Sequence, residues 1–543
     1  MLFKNNQVSI VFWVSIVISS IFILWGAIIP NNVDRVLGII NNIIGTNFGW
    51  FYLLATTFFV VLAIYLIVGP YGKIKLGSPD EKPEYSYFTW FAFLFTAGMG
   101  VGLVFFAISE PLSHYYAPIT SDPQSTEAMG ESLVYTIFHW GLHPWATYSI
   151  VALALAYFKF RHHAPALISS AFTPILGKYA RGYTGNAIDI LAVFATVFGI
   201  ATSLGLGASQ ITAGLSFAFN GIENTTLTQL VVILIVTVIF IASAISGLNR
   251  GIRILSWGNI IIAVALMLLV FLFGSSIKMI ETFMSMMGSY IQKLPELTFN
   301  MHTFTENRQF LDDYTLFYWA WWIGWAPFVG AFIARVSRGR TIREFVLGVT
   351  LVPVLFSAIW FAIFGVAGIE LDAAQGGALF NSLQTTGEEF ALFAFLDSFP
   401  LSQVLIIIAI ILITSFFITS ADSATYVLAM LTTGGRLNPV ASVKVIWGII
   451  LAGTASVLLL SGGLKALEVA MLIAAFPFGI LMIMMSFSFL KALRNEKDIL
   501  RLEQKQKEVD PNYQKKSNVK LKEMKAEFGK SVARNQEPER REE

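Results

Sequence analysis

The sequence predicts an all-α integral membrane protein of twelve transmembrane helices, and three observations carry that prediction. Only 13% of its 543 residues are charged, against about 25% in a soluble domain. The chain is 56% hydrophobic, with a mean hydropathy of +0.68. Lys and Arg also gather in every second connection between apolar stretches. A spanning helix needs roughly 20 mostly apolar residues. Windows of that kind fall at 8–29, 48–69, 88–114, 132–158, 185–219, 226–247, 252–275, 312–335, 343–368, 400–432, 440–461 and 465–490. The first has no small-residue cleavage site, so it reads as a retained helix and not a removed signal peptide.

The connections orient these spans. Lys73, Lys75 and Lys82 follow the second span, and Lys159, Arg161, Lys178 and Arg181 follow the fourth. Arg250 and Arg253 follow the sixth, Arg335, Arg338, Arg340 and Arg343 the eighth, and Arg436 and Lys444 the tenth. Odd-numbered connections are poorer in Lys and Arg and often acidic, with Asp122 and Glu127, then Glu370, Asp372, Glu388 and Glu389. The positive-inside rule then places both termini in the cytoplasm of a multi-pass plasma-membrane protein. Residues 276–300 alternate apolar and polar at helical spacing and predict a helix lying along the outer surface, bridging two halves. From Lys491 onward the chain is a charged cytoplasmic tail, with a helix ending at Asp510–Pro511 and disorder beyond. A net charge of +2 offers nothing to nucleic acid, and the lack of cysteine excludes disulfides and thiolate chemistry.

The third span contains Gly98-Met99-Gly100-Val101-Gly102. Each glycine costs a helix about 1 kcal/mol relative to alanine. The run reads either as an unwound segment with bared carbonyls or as tight GxxxG packing of Gly98 and Gly102. Gly324 and Pro327 weaken the eighth span, five spans later and entering from the opposite side. Interruptions at matching places in inverted halves point to a midplane binding site.

Trp319, Trp321, Trp322 and Trp325 crowd this eighth span, and Trp319, Trp322 and Trp325 share a face. On the fourth, Trp140, Trp145 and Tyr148 fall on one arc near Pro144, as a binding wall or an interfacial belt. Such rings suit a methylated ammonium, which their faces attract. His139 and His143 stand four apart, as metal ligands or as hydrogen-bonded interior groups. In the tenth span, Thr419 and Ser420 are hard oxygen ligands of the kind sodium accepts, or hydroxyls bonded to their own helix. Asp422 is an intramembrane carboxylate, a functional group or the partner of a cytoplasmic-end Arg.

Four motifs in order resemble the betaine/carnitine/choline transporter family over residues 8–490. They are the glycine run with Glu110-Pro111, His139-Trp140-Gly141-Leu142-His143-Pro144-Trp145-Ala146, the tryptophan run followed by Arg338-Gly339-Arg340-Thr341-Ile342-Arg343-Glu344-Phe345, and Thr419-Ser420-Ala421-Asp422-Ser423. The resemblance implies two inverted five-helix repeats of the LeuT type, at 88–275 and 312–490, after two peripheral helices in 1–87. It further implies a linker helix in 276–311, a tail at 491–543 and a homotrimer. Trp140, Trp145, Tyr148 and Trp322 match the family's cage for a trimethylammonium group, with Met99 and Gly100 beside it and Trp325 on the cytoplasmic path.

Thr419, Ser420 and the carbonyls of Thr96, Met99 and Phe416 match a sodium site. A second family site pairs two threonines, where this chain has Thr196 but Ile200. Gly102 stands where choline carriers often place an aspartate, and so resembles the betaine carriers. No Lys or Arg lies within spans three to five, where sodium-independent exchangers carry a basic group. The expected function is sodium-coupled uptake of glycine betaine for osmoprotection, with sodium as co-substrate, no cofactor and no enzymatic step. The alternative is choline or carnitine carriage by proton coupling or exchange.

Overall fold

The computed structural model describes residues 8–98, 100–219, 221–246, 249–303 and 307–509, with side chains outside 95–98, 246, 249–254 and 498–509. Its long helices are α1 Ile10–Ile28, α2 Pro30–Val68, α3 Tyr87–Gly98, α4 Val101–Tyr116, α5 Thr126–Trp140, α6 Leu142–Ala156 and α7 Tyr183–Ala218. They continue with α8 Thr226–Ser246, α9 Asn249–Phe273, α10 Ser276–Phe299, α11 Leu316–Val336, α12 Ile342–Ala374, α13 Ser402–Thr432 and α14 Ala441–Val509. The described residues contain no strand, only an isolated bridge of Lys75 with Thr341. Nine helical stretches among them are long and apolar enough to cross a membrane.

The apolar windows at 88–114 and 132–158 fall on helices broken in two, α3 with α4 and α5 with α6. Those at 440–461 and 465–490 lie on α14, which leaves helical geometry at Gly462 and at Gly463, where φ is +64°. Only glycine takes that left-handed turn without strain. One boundary differs widely from expectation: α2 starts at Pro30, not near 48. Its first turns carry Asn31, Asn32, Asn41 and Asn42, which lower hydropathy without stopping a helix. Proline at the first helical position has no N–H to lose.

Burial sorts the helices. Every residue of α11 from Leu316 to Gly330 is buried, as expected of a helix apolar on all sides at the centre of a bundle. It packs on α6, α7 and α14. By contrast, α8 and α9 expose Leu227, Leu234, Ile261 and Leu272. Rows of bare leucine and isoleucine suit lipid, where they lose nothing to water.

The eighth span does not break as expected. Helix α11 runs unbroken through Gly324 and Pro327. Gly324 serves close approach instead: a Cβ on Gly199 of α7 would lie 3.0 Å from the carbonyl carbon of Gly324. The two helices therefore cross almost backbone to backbone, and packing holds the helix that proline weakens.

The fourth span breaks at Gly141 and not at Pro144, which sits in the first turn of α6 where its missing N–H costs nothing. A Cβ on Gly141 would lie 2.4 Å from the Ile137 carbonyl oxygen and 2.9 Å from the Tyr290 hydroxyl. Tyr290, buried on α10, fills that notch and accepts the freed Leu142 N–H at 3.0 Å. Tyr290→Phe strands that N–H in an apolar setting, a loss of about 1–3 kcal/mol. The variant should unfold at lower temperature in detergent; an unchanged midpoint would show that the break needs no cap.

Helix α10 lies where the amphipathic pattern predicted one. It buries Met279, Met286, Tyr290 and Leu297 and exposes Ile277, Ile280, Met284 and Ile291.

Candidate functional site

The two helix breaks and α11 bring the predicted aromatic residues together. Trp140 ends α5, Trp145 and Tyr148 lie in the first turns of α6, and Trp322 sits midway along α11. Trp322 meets Trp140 edge to face at a ring separation of 5.0 Å and 75°. It meets Tyr148 the same way at 6.0 Å and 87°. Tyr148 in turn meets Trp145 at 5.7 Å and 86°. Edge-to-face contact sets the rim of one ring against the face of the next, so the four rings form one packed group. All four rings are buried. At these separations they touch, so a trimethylammonium must part them to enter.

Trp322 and Trp325 are also fixed by their polar edges. The Trp322 Nε1–H donates to the His139 carbonyl at 2.9 Å, and Trp325 Nε1–H donates to the Gly199 carbonyl at 2.9 Å. Trp321 stacks flat on Trp322 at 5.3 Å and 11° and meets Trp325 edge on at 6.2 Å. Trp319 lies apart, stacked on His143 at 5.0 Å. The tryptophans of α11 thus divide into a group around Trp322 and one packing ring.

The glycines lie against these rings. A Cβ on Gly102 would stand 2.4 Å from Trp321 Cη2 and 3.1 Å from Trp140 Cη2. Gly100 has extended backbone, φ −132° and ψ −152°, so the unwound reading of the run holds at that residue. A Cβ there would lie 3.5 Å from Trp325 Cη2 and 3.6 Å from the Ser420 hydroxyl. Gly100 therefore joins the aromatic group to the hydroxyls of α13. Met99 and the side chain of Thr96 lie outside the described residues.

On α13, Thr419 Oγ1 donates within its own helix, 2.9 Å from the Ser415 carbonyl and 3.1 Å from that of Phe416. A hydroxyl donating in this way keeps lone pairs for a further partner. Thr196 is likewise bonded to the Ala192 carbonyl at 2.8 Å, with apolar Ile200 buried one turn on. Asp422 accepts from the Ser243 hydroxyl at 2.7 Å, so its hydrogen-bond partner is not the arginine considered from sequence.

Sequence reasoning passed over Glu110 except as part of a motif. It is buried on α4 and collects groups from three helices. Its Oε2 accepts from Trp140 Nε1–H at 2.7 Å and from the Tyr318 hydroxyl at 2.5 Å. Its Oε1 lies 2.7 Å from His139 Nδ1 and 3.4 Å from His114 Nε2. The other nitrogen of His139 meets Thr315 Oγ1 at 2.9 Å, and His143 Nε2 meets Thr298 Oγ1 at 3.2 Å. His139 and His143 thus have separate partners, and Glu110, His114 and His139 bring one possible ligand atom each within 4.8 Å of one another. The available signal was a carboxylate inside an apolar span.

Further along α11, a cavity of about 240 Å³ is lined by Phe332, Arg335, Arg338, Lys159, Phe160 and Tyr426, among others. Arg335 sits 5.2 Å over the Tyr426 ring.

Apolar helices of membrane length around a buried aromatic group at two broken helices define a membrane transporter. The chain belongs to the betaine/carnitine/choline family: the model described as betaine/carnitine/choline family transporter matches residues 10–498. It is accordingly a transporter and not an enzyme. It is 49% identical over 513 residues to the glycine betaine transporter OpuD of Bacillus subtilis, covering 94% of this chain and 99% of that one. A probable glycine betaine transporter of Desulfitobacterium hafniense is 46% identical, covering 91% and 99%. An ectoine/hydroxyectoine transporter of Virgibacillus pantothenticus is 40% identical, covering 90% and 97%.

Proposed function

We propose that this protein takes up glycine betaine together with sodium by alternating access across the plasma membrane. The observation that carries this reading is the edge-to-face set of Trp140, Trp322, Tyr148 and Trp145. Each face contributes about 0.5–2 kcal/mol to a quaternary ammonium, and more once water is excluded. The two relatives above named as glycine betaine transporters support the same substrate. Trp325 and the cavity toward Arg335 form the cytoplasmic path in this reading, with Arg335 able to receive the substrate carboxylate and Arg338 paired with Glu81.

The architecture we infer has twelve spans, with α3–α4 and α5–α6 each crossing as a broken span and α14 crossing twice about Gly462–Gly463. Two peripheral spans in 1–87 precede inverted repeats at 88–275 and 312–490, joined through 276–311. Both termini, including the tail at 491–543, are cytoplasmic, and three copies assemble with α10 at their contacts. Oxygens of Thr419, Ser420 and Phe416 hold sodium with the carbonyls of Thr96 and Met99. The proximity of Gly100 to Ser420 supports that placement.

Uptake of labelled betaine into proteoliposomes tests this. Wild-type uptake should require an inward sodium gradient, and Ser420→Ala should need roughly tenfold more sodium for half-maximal rate. Uptake indifferent to sodium would remove the coupling. The ectoine/hydroxyectoine relative favours a second reading, since ectoine also joins a delocalised cation to a carboxylate. Ectoine outcompeting betaine in the same assay would establish it.

A further inference from the structure

Glu110 raises a question that packing does not answer. It is a fully buried carboxylate, and among the described residues its ion-pair partners are His114 and His139, with no Lys or Arg. A buried charge without a full counter-charge is costly, and proteins retain one only where something repays it. The surroundings of Glu110 consist of groups able to donate. Trp140 can do nothing else, because an indole N–H has no acceptor. The arrangement therefore suits an acceptor-only carboxylate.

The groups that surround it belong to the aromatic set. Trp140 donates directly to Oε2 at 2.7 Å. Trp322 donates to the backbone carbonyl of His139, whose ring bonds Oε1 at 2.7 Å. Tyr318, the third contact, lies nearly parallel to Trp322 at 6.2 Å and 20°. So one carboxylate holds the edge of Trp140 directly and bonds the ring of His139, the residue whose carbonyl holds Trp322. An indole whose N–H points at an anion is also more electron-rich across its π system. Its face then attracts a cation more strongly than that of an isolated indole.

We propose that Glu110 is the counter-charge of the aromatic cage, holding Trp140 by its polar edge and the ring of His139, on whose carbonyl Trp322 rests, and biasing the site toward permanently cationic substrates. This rests on the quaternary-ammonium reading above and extends it. Trp140 and Trp322 touch the ammonium; Glu110 is a positioning residue that acts through them. The substrate's ammonium then adds to the histidines as a counter-charge for Glu110, and its charge, more than its shape, is what the site selects.

The test separates charge from shape. Labelled betaine uptake is measured in competition with unlabelled betaine and with 3,3-dimethylbutyrate, in which a neutral carbon replaces the quaternary nitrogen. Wild-type protein should prefer betaine strongly; equal inhibition by the two would overturn the quaternary-ammonium reading itself. Glu110→Gln should shrink the betaine preference by roughly tenfold, because the carboxylate is lost while the side-chain shape remains. Glu110→Asp should keep the preference even where its uptake rate falls. An undiminished preference in Glu110→Gln, with wild-type selectivity intact, overturns the counter-charge proposal alone. Where Glu110→Gln fails to reach the membrane, Trp140→Phe decides. It keeps a ring face but severs the link to Glu110, and an unchanged preference there overturns the proposal as well.

Discussion

Replacing Trp322 with alanine should raise the KM for betaine by about 30-fold or more, whereas phenylalanine should recover part of that loss. Among the described residues, Trp322 is the one ring that touches both partners, Trp140 at 5.0 Å and Tyr148 at 6.0 Å. Alanine removes a cation-attracting face worth about 2 kcal/mol when desolvated, which is close to 30-fold in affinity. It also opens the corner that sets the other two rings. Phenylalanine restores a face but not the hydrogen bond to the His139 carbonyl. Its expected KM therefore lies between wild type and alanine. Equal uptake kinetics in all three proteins would remove Trp322 from the site.

The second large effect is expected at Gly102. Alanine there places a methyl 2.4 Å from Trp321 Cη2, nearer than real side chains come. Trp321 has no easy retreat, since it stacks on Trp322 at 5.3 Å and on Phe317 at 5.5 Å. The methyl therefore pushes Trp321 against the ring that we assign to substrate. Overpacking of this kind costs about 1–3 kcal/mol, and uptake should fall by roughly tenfold with the protein still present in the membrane. Gly100→Ala is the control, because its methyl would meet Trp325 and Ser420 at ordinary contact distances of 3.5 and 3.6 Å. A Gly100→Ala protein more impaired than Gly102→Ala would refute this account of residue 102.

These residues were legible in the sequence because tryptophan and glycine are conspicuous when they interrupt an apolar span. Which tryptophan does what was less so. Trp319, Trp322 and Trp325 share a helical face in the sequence, yet Trp319 turns to His143 while Trp322 reaches Trp140 and Tyr148. Spacing fixes direction around one helix, but the neighbours decide what lies there.

The helix breaks show a similar limit. Gly100 takes the unwound form, one of the two that its run allowed, whereas Gly324 and Pro327 leave α11 intact. A glycine can unwind a helix or admit another helix, and only the packed partner distinguishes the two. Here that partner is Gly199 on α7. Pro144 drew attention away from Gly141, although proline at the start of a helix is harmless and a notch filled by Tyr290 is not visible in one dimension. Glu110 stayed in the background because its partners are scattered along the sequence. Residues 114, 139, 140 and 318 mean nothing together until the helices are assembled.

The hydroxyl that caps the Leu142 N–H has a consequence beyond stability. Tyr290 and Thr298 both belong to α10, and they hold the first two residues of α6 through Leu142 and His143. The half-helix carrying Trp145 and Tyr148 is therefore gripped from the rim of the molecule. The opposite face of that gripping helix, with Ile277, Met284 and Ile291, lies open to whatever adjoins it. One helix thus has an open outer face and, on its inner face, the hydroxyls that bond the start of the half-helix carrying Trp145 and Tyr148.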